Sequence, residues 1–224
     1  MGLAERALKD SLNIVYEDED LLVLNKEPGI LVEQTISEEL SLSGLAASYA
    51  GRSVRPLHRL DRDTSGLAMF ALNAKWNRYF SELFEKKRIR KSYWAIVRGD
   101  WDGGITKIDT NIASISPGRF GNDPWKGKQA VTTFRKLGSA DGYSWIQALP
   151  KTGRTHQLRL HCLEAGYPIV GDRFYANDFS NPFLLHARSL AFELPGGSRE
   201  LSLSAEPPDC WKPWLEKFEK RKKS

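Results

Sequence analysis

His58-Arg59-Leu60-Asp61-Arg62-Asp63-Thr64-Ser65-Gly66, followed at once by Leu67-Ala68-Met69-Phe70-Ala71-Leu72, sets the reading of this chain. One carboxylate, Asp61, lies between two arginines just ahead of a turn-forming Thr64-Ser65-Gly66. The apolar run after it reads as a buried strand. An aspartate so placed can stay ionised, be aimed from a tight loop and be carried by a rigid element. A covalent nucleophile or general base needs all three. The plain alternative is a turn held by an Asp–Arg ion pair.

Working outward, Leu12–Glu17 and Leu21–Asn25 are expected as short strands around the acidic turn Asp18-Glu19-Asp20, with a type II turn at Pro28-Gly29. Leu42, Leu45, Ala46 and Tyr49 fit one face of a helix stopped near Gly51. Asn73 is a candidate N-cap for a helix reaching about Lys87, with Trp76, Tyr79, Phe80, Leu83 and Phe84 as its core face. Tyr93–Val97 is strand-like. Ile105–Gln129 shows weak periodicity and is expected as a long, partly irregular connection. Val131–Lys136 and Tyr143–Leu149 pair around Gly138–Gly142, and Thr155 is expected to cap a helix ending at Gly166. Pro168–Asp172 reads as a strand and turn, Leu184–Arg188 and Arg199–Ser204 as late strands, and Trp211–Lys220 as a final helix. Strands outnumber helices and many meet at hairpin-like turns, which favours an α+β fold on a mixed sheet over a doubly wound parallel one.

At 224 residues, with 41% hydrophobic and 11% aromatic residues, the chain can bury a sizeable core. The expected division is an N-terminal extension 1–11, a catalytic domain 12–206 and a C-terminal helix with a basic tail 207–224. No stretch is long and apolar enough to span a membrane, and the N-terminus lacks a signal core, so a cytoplasmic protein is expected. Cys162 and Cys210 are too few for a disulfide framework and are expected as buried, reduced thiols. Net charge is +5, and the tail Leu215–Ser224, with five basic and two acidic residues, supplies +3 of it. A nucleic-acid surface must therefore come from local clustering. Lys86-Lys87-Arg88-Ile89-Arg90-Lys91, next to Ser92-Tyr93-Trp94, is such a cluster. Basic residues beside aromatics can hold phosphates and stack a base; a solvated helix end is the plain alternative.

The second dense polar stretch is Lys151-Thr152-Gly153-Arg154-Thr155-His156-Gln157-Leu158-Arg159. Arg154 is expected where helix N-terminal N–H groups would face an anion. His156 and Arg159, three apart, are expected on one helix face, and Arg159 is suited to bidentate pairing with a carboxylate. The alternative gives Arg159 a structural ion pair and His156 a local hydrogen bond. His186 fits a satisfied core histidine. No zinc-ligand spacing, Walker or dinucleotide glycine motif, or Gly-x-Ser-x-Gly elbow is present.

With both stretches in hand, the chain resembles the RluA-type pseudouridine synthases. HRLDRDTSG (58–66) matches that family's HRLDxxTSG motif at every fixed position. The likeness runs from about Ile14 to Ala205 through Val23–Gly29, Lys91-Ser92-Tyr93, Gly127–Ala130, Lys151–His161, Pro168–Tyr175 and Leu184–Ala187. It implies a mixed, mostly antiparallel central sheet with flanking helices and an RNA-binding cleft, no metal or cofactor, and a partner that is tRNA or ribosomal RNA. It implies Asp61 as the catalytic aspartate, Tyr93 as the residue stacking on the target base and Arg159 as the partner of the aspartate. Arg59 would fill the gap left by the flipped uridine. Arg62, Thr64, Lys91, Lys128, Arg154 and His156 complete the expected substrate-binding set, and Lys126 and the tail are further candidates for RNA affinity. The N-terminal RNA-binding (S4) module of some relatives is expected to be absent, and a monomer is the default. Glu27 departs from the small or polar residue expected in the Asn-Lys-Pro-Gly region.

Two other readings stand beside this one. An RNA-binding protein with a relict site would not need an isolated carboxylate near phosphates. A nucleoside or glycoside hydrolase would need a second acid/base carboxylate across the bond, for which Asp63 is the neighbour by proximity.

Overall fold

The run that follows Asp61 is a strand in which every residue from Ser65 to Ala71 is buried. A strand covered on both faces has no polar alternation, so it reads as continuously apolar. The computed structural model describes residues 12–33, 40–179, 181–197 and 199–222. The expected extension 1–11 and the last two residues of the basic tail lie outside that range.

The fold is α+β, with a mixed, mostly antiparallel sheet and flanking helices. Its elements in chain order are β1 (Ile14–Glu17), β2 (Leu21–Lys26), α1 (Leu42–Ala50), β3 (Arg55–Pro56), β4 (Ser65–Ala71), α2 (Ala74–Glu85), β5 (Arg90–Arg98), β6 (Ile105–Ser116), β7 (Arg119–Asn122), β8 (Lys128–Ala140), β9 (Tyr143–Pro150), α3 (Gln157–Glu164), β10 (Leu185–Glu193), β11 (Glu200–Ser204) and, after a 3₁₀ turn at Asp209–Trp211, α4 (Lys212–Lys222). The chain divides into two compact units, Met1–Arg90 with Ala187–Pro207, and Lys91–His186 with Pro208–Ser224.

In the first unit β1 pairs antiparallel with β2, and β2 with β4, in the register Leu22↔Phe70 and Leu24↔Ala68. The short β3 also pairs with β4, and β11 pairs with Ser189–Glu193 of β10. The Asp18 carboxylate accepts from the N–H groups of Asp20 and Leu21, which tightens the acidic β1–β2 turn. Asn73 caps α2 by accepting from the Lys75 N–H, and α2 lays Phe80 and Leu83 onto Val23, Leu67, Met69 and Phe192. Gly66 has φ 109°, and a Cβ there would lie 2.4–2.8 Å from the Ala187 backbone. Only glycine allows that approach.

The second unit is an antiparallel run β5-β9-β8-β6-β7. One core joins Ala95, Val97, Trp101, Phe134 and Ile146 to Leu158 and Cys162 of α3; another places Trp211 and Phe218 against Ile96, Val170 and Leu184.

Several expectations change. Ile105–Gln129 is not an irregular connection: it contains β6 and β7 and runs into β8. The β8–β9 turn is Asp141-Gly142, both at positive φ, while Gly138 lies within β8 at a register shift. Thr155 does not cap α3; His156 is its N-cap residue, in the left-handed conformation at φ 56° and without a side-chain capping bond. His156 therefore does not share a helix face with Arg159. Pro168–Asp172 forms no strand, only an isolated bridge from Ile169 to Val97. Cys162 is buried, but Cys210 is exposed. No helix among the described residues is long and apolar enough to cross a membrane.

Candidate active site

In the first unit, Asp61 sits in the loop between β3 and β4. The Thr64 N–H donates to the Asp61 carbonyl at 3.1 Å, closing the turn that presents the carboxylate. Leu60 and Thr64, 6% and 2% exposed, anchor the loop on either side, while Arg59 is exposed and Asp61 half-buried. His58 accepts from the Met69 N–H through Nε2 at 3.1 Å and packs on Phe84. The histidine is thus a brace for the loop.

A second brace was not singled out as a site residue in the sequence. Lys26 ends β2 with 1% exposure, and its ammonium donates to the carbonyls of Glu27, Ile30 and Arg62 at 2.9, 2.8 and 2.7 Å. The Gly29 N–H also donates to the Arg62 carbonyl, and Arg62 Nε returns a bond to the Gly29 carbonyl, both at 2.9 Å. The Asn-Lys-Glu-Pro-Gly turn is thereby bolted to the residue after Asp61. Glu27 points to water and leaves the turn intact, with Gly29 at φ 89°. The signal of Lys26 in the sequence is a lysine at the end of the apolar run Leu21–Leu24 and Asn25.

Burial pushes the Lys26 ammonium down to about 8, against the opposing pull of Asp63, Asp61 and Glu27. The unfolded lysine, ordinarily near 10.5, holds its proton more strongly than the folded one between these values. The buried charge therefore costs stability fully below pH 8, and that cost is relieved as pH rises to 10.5, a swing on the order of 3 kcal/mol. Denaturation of wild type and Lys26→Met across this window checks it. Wild type should gain on the variant as pH rises; a constant difference would contradict the assignment.

In the second unit, β5 carries Lys91 and Tyr93. Tyr93 is half-buried against the Trp101–Phe134 core. The Lys91 ammonium lies 3.6 Å from where a Cβ on Gly153 would stand, so the basic stretch and the Lys151–Arg159 stretch meet there. Burial lowers the Lys91 pKa, and no carboxylate among the described residues pairs with it. The rest of the basic cluster is divided. Lys86 pairs with Glu82, Arg90 with Glu200, and Ile89 is buried. Trp94 packs edge-on against Trp145. Two of the cluster's cations are thus held in surface ion pairs.

Gln157 organises the Lys151–His156 loop. Its Oε1 accepts from the Thr152 hydroxyl at 2.7 Å and the Arg154 N–H at 3.0 Å, and its amide donates to the Val131 carbonyl and Thr132. The Arg154 N–H is therefore used within the loop, and its Nε donates to the Gln129 carbonyl. His156 Nδ1 is 2.7 Å from the Tyr175 hydroxyl.

Arg159 is held by a carboxylate that the sequence reading did not pick out. Its Nε and Nη2 donate to the two oxygens of Asp172 at 2.9 and 2.7 Å, with side-chain exposures of 12% and 2%. Asp172 also accepts from the N–H groups of Phe174 and Tyr175. The guanidinium lies over Tyr175, Phe183 and Phe174 at 5.0, 5.1 and 5.6 Å. Such a pair, fully hydrogen-bonded and sandwiched by rings, fixes the arginine's direction. His161 is buried between Thr132 and Thr110, and burial pushes it down to about 4, so it is neutral at physiological pH. Among the described residues no group of three or more His, Cys, Asp or Glu is placed to hold a metal ion.

The RNA pseudouridylate synthase family model matches residues 20–164. tRNA pseudouridine synthase C of Haemophilus ducreyi is 33% identical over 92% of this chain and 96% of its own length. Ribosomal large subunit pseudouridine synthase D of Borreliella burgdorferi is 33% identical over 87% of this chain and 65% of its own. Among solved structures, human RNA Pseudouridylate Synthase Domain Containing 4 has the same fold, with TM-score 0.80 at 24% identity over 97% of this chain and 96% of that one. Human RNA Pseudouridylate Synthase Domain Containing 1 matches with TM-score 0.72 at 29% identity over 88% and 84%. The chain belongs to the RNA pseudouridylate synthase family. The enzyme class this defines is RNA pseudouridine synthase.

Proposed function

We propose that this enzyme converts a specific uridine to pseudouridine in structured RNA, tRNA or ribosomal RNA or both, in the cytoplasm, with Asp61 as the essential catalytic residue. The observation that carries the assignment of Asp61 is its loop, in which the backbone beside the carboxylate is fastened by Lys26, Gly29 and Thr64. A group that must meet one atom of a flipped nucleotide needs that rigidity.

Uridine leaves the stack at a cost of a few kcal/mol before its glycosidic bond can be reached. The exposed Arg59 takes the vacated place. Asp61 acts in its ionised form on the flipped nucleotide, the N–C bond breaks, and the base turns to present C5. Tyr93 offers a ring face on which the detached base is held. The resemblance assigns Arg159 as the partner of Asp61, and a guanidinium beside a carboxylate favours its charged form. Lys91, Lys128, Arg62, Arg154 and His156 contact the RNA backbone, and Thr64 acts by shaping the turn.

Making a C–C bond at C5 expels the C5 hydrogen. RNA labelled with tritium at uridine C5 should therefore release label with wild-type enzyme, and comparison of unmodified tRNA with ribosomal RNA should identify the substrate class. No release from either, with binding demonstrated, would overturn the proposal in this general form.

A further inference from the structure

The loop between β7 and β8, residues 123–127, presents a tryptophan to water. Trp125 is 93% exposed, the highest value among the exposed large hydrophobic residues described. The loop beneath it is rigidly built. The Asp123 carboxylate accepts from the N–H groups of Trp125 and Lys126, both at 2.9 Å. The Gly127 N–H donates to the Asp123 carbonyl at 2.9 Å, the Asp123 N–H donates to the Asn111 carbonyl, and Asn111 Nδ2 donates to the Pro124 carbonyl. A Cβ on Gly127 would lie 2.5–2.7 Å from backbone atoms of Asp123 and Asn111, so the loop is pressed onto β6.

An indole held out by so fixed a loop buries nothing in the free protein. Its surroundings indicate what covers it. Lys126 and Lys128 flank it, both exposed, with Lys126 close enough to Asp123 to favour its charged form. The nearest acidic side chain in the loop, Asp123, is occupied with backbone N–H groups, which hold its carboxyl below the usual carboxylate range. The next residue along β8, Gln129, receives Arg154 Nε on its carbonyl, and β7 places Phe120 edge-on to His156. The loop that carries the tryptophan therefore joins two strands whose residues touch Arg154 and His156, both proposed above to contact RNA. A cationic rim with one central π-face fits a nucleobase flanked by phosphates, whereas an apolar protein surface would bury the ammonium groups without an anion to meet them.

We propose that Trp125 is a base-stacking post, on which an unpaired nucleobase of the substrate RNA, other than the uridine that reacts, stacks while Lys126 and Lys128 hold the adjoining phosphates. This rests on the proposed RNA substrate. It adds a specificity-determining contact outside the reaction centre.

The test is equilibrium binding of unmodified tRNA and ribosomal RNA transcripts at several salt concentrations, with wild type, Trp125→Ala, Trp125→Phe and Lys126→Ala/Lys128→Ala. Trp125→Ala should weaken binding by about 5- to 100-fold with the salt slope unchanged, because stacking releases no counterions. Trp125→Phe should keep most of the affinity. The double lysine variant should flatten the slope of log K against log salt by about 0.7–0.9 per lost phosphate contact. Equal affinity of wild type and Trp125→Ala would overturn the inference. So would a change confined to self-association in sedimentation, which would make the tryptophan a contact between copies. Tritium release by wild type is measured in parallel. Its failure would count against the reaction, while the binding comparison would still judge Trp125.

Discussion

Asp61→Asn should abolish tritium release from C5-labelled RNA while leaving RNA binding near that of wild type. Asparagine has nearly the same shape, and the bond that closes the loop is made by the Asp61 carbonyl, not its side chain. What is removed is the charge, and with it the capacity to attack or to take a proton. Loss of a group in that role lowers the rate by on the order of 10³-fold. Binding is expected to persist because the substitution leaves every proposed phosphate-contacting cation in place. Single-turnover tritium release and filter binding measure the two quantities separately. A variant that retained a tenth or more of the wild-type rate would remove Asp61 from the chemistry. One that lost binding and rate together would make it a structural residue.

The second large effect is expected at Asp172. It is 2% exposed, meets Arg159 with both oxygens and accepts two backbone N–H groups. Removing one member of a buried pair strands the other charge, at a cost of about 3–5 kcal/mol. Asp172→Ala should therefore lower the thermal midpoint by roughly 10 °C for a chain of this size. It should also lower activity more than stability alone explains, because Arg159 loses the group that aims it. Asp172→Asn keeps the volume and one acceptor and should lie between. Denaturation midpoints and turnover at a temperature where all variants are folded check this. An unchanged midpoint in Asp172→Ala would show that the pair does not hold this turn together.

The parts of the fold legible in the sequence were those whose period matched their burial. The buried β4, the α2 face with Phe80 and Leu83, and the β8–β9 hairpin all announced themselves in this way. β6 did not. Its inward side is only half-buried, through Thr106, Ile108 and Thr110, and Ile105, Lys107 and Asp109 face water. A β-branched strand with so little apolar contrast resembles a polar loop. His156 was misplaced because a non-glycine residue at φ 56° is set by its tertiary partners, the Tyr175 hydroxyl and the Phe120 and Phe174 rings.

For the candidate site, Asp61, Tyr93 and Arg159 stood out by type and motif, but their supports did not. Lys26 reads as a surface cation until β2 turns it onto three carbonyls. Asp172 is 13 residues beyond Arg159, and only the turn after Gly171 brings them together. Gly171 has φ 77°, and a Cβ there would lie 2.1 Å from the Pro182 carbonyl oxygen, so that turn requires glycine. Such partners are settled by packing across the chain, which single-sequence periodicity does not record.

The most direct test accounts for the label and the base together. RNA labelled at uridine C5 is treated with wild-type enzyme, the released tritium is counted, and the RNA is digested to nucleosides and separated. One pseudouridine should form for each tritium released, with the chain length of the RNA unchanged. Free uracil with an abasic site would make the protein a hydrolase, and unchanged uridine on an RNA that binds would make it a binding protein. Either result would rule out pseudouridine formation by this enzyme on that RNA.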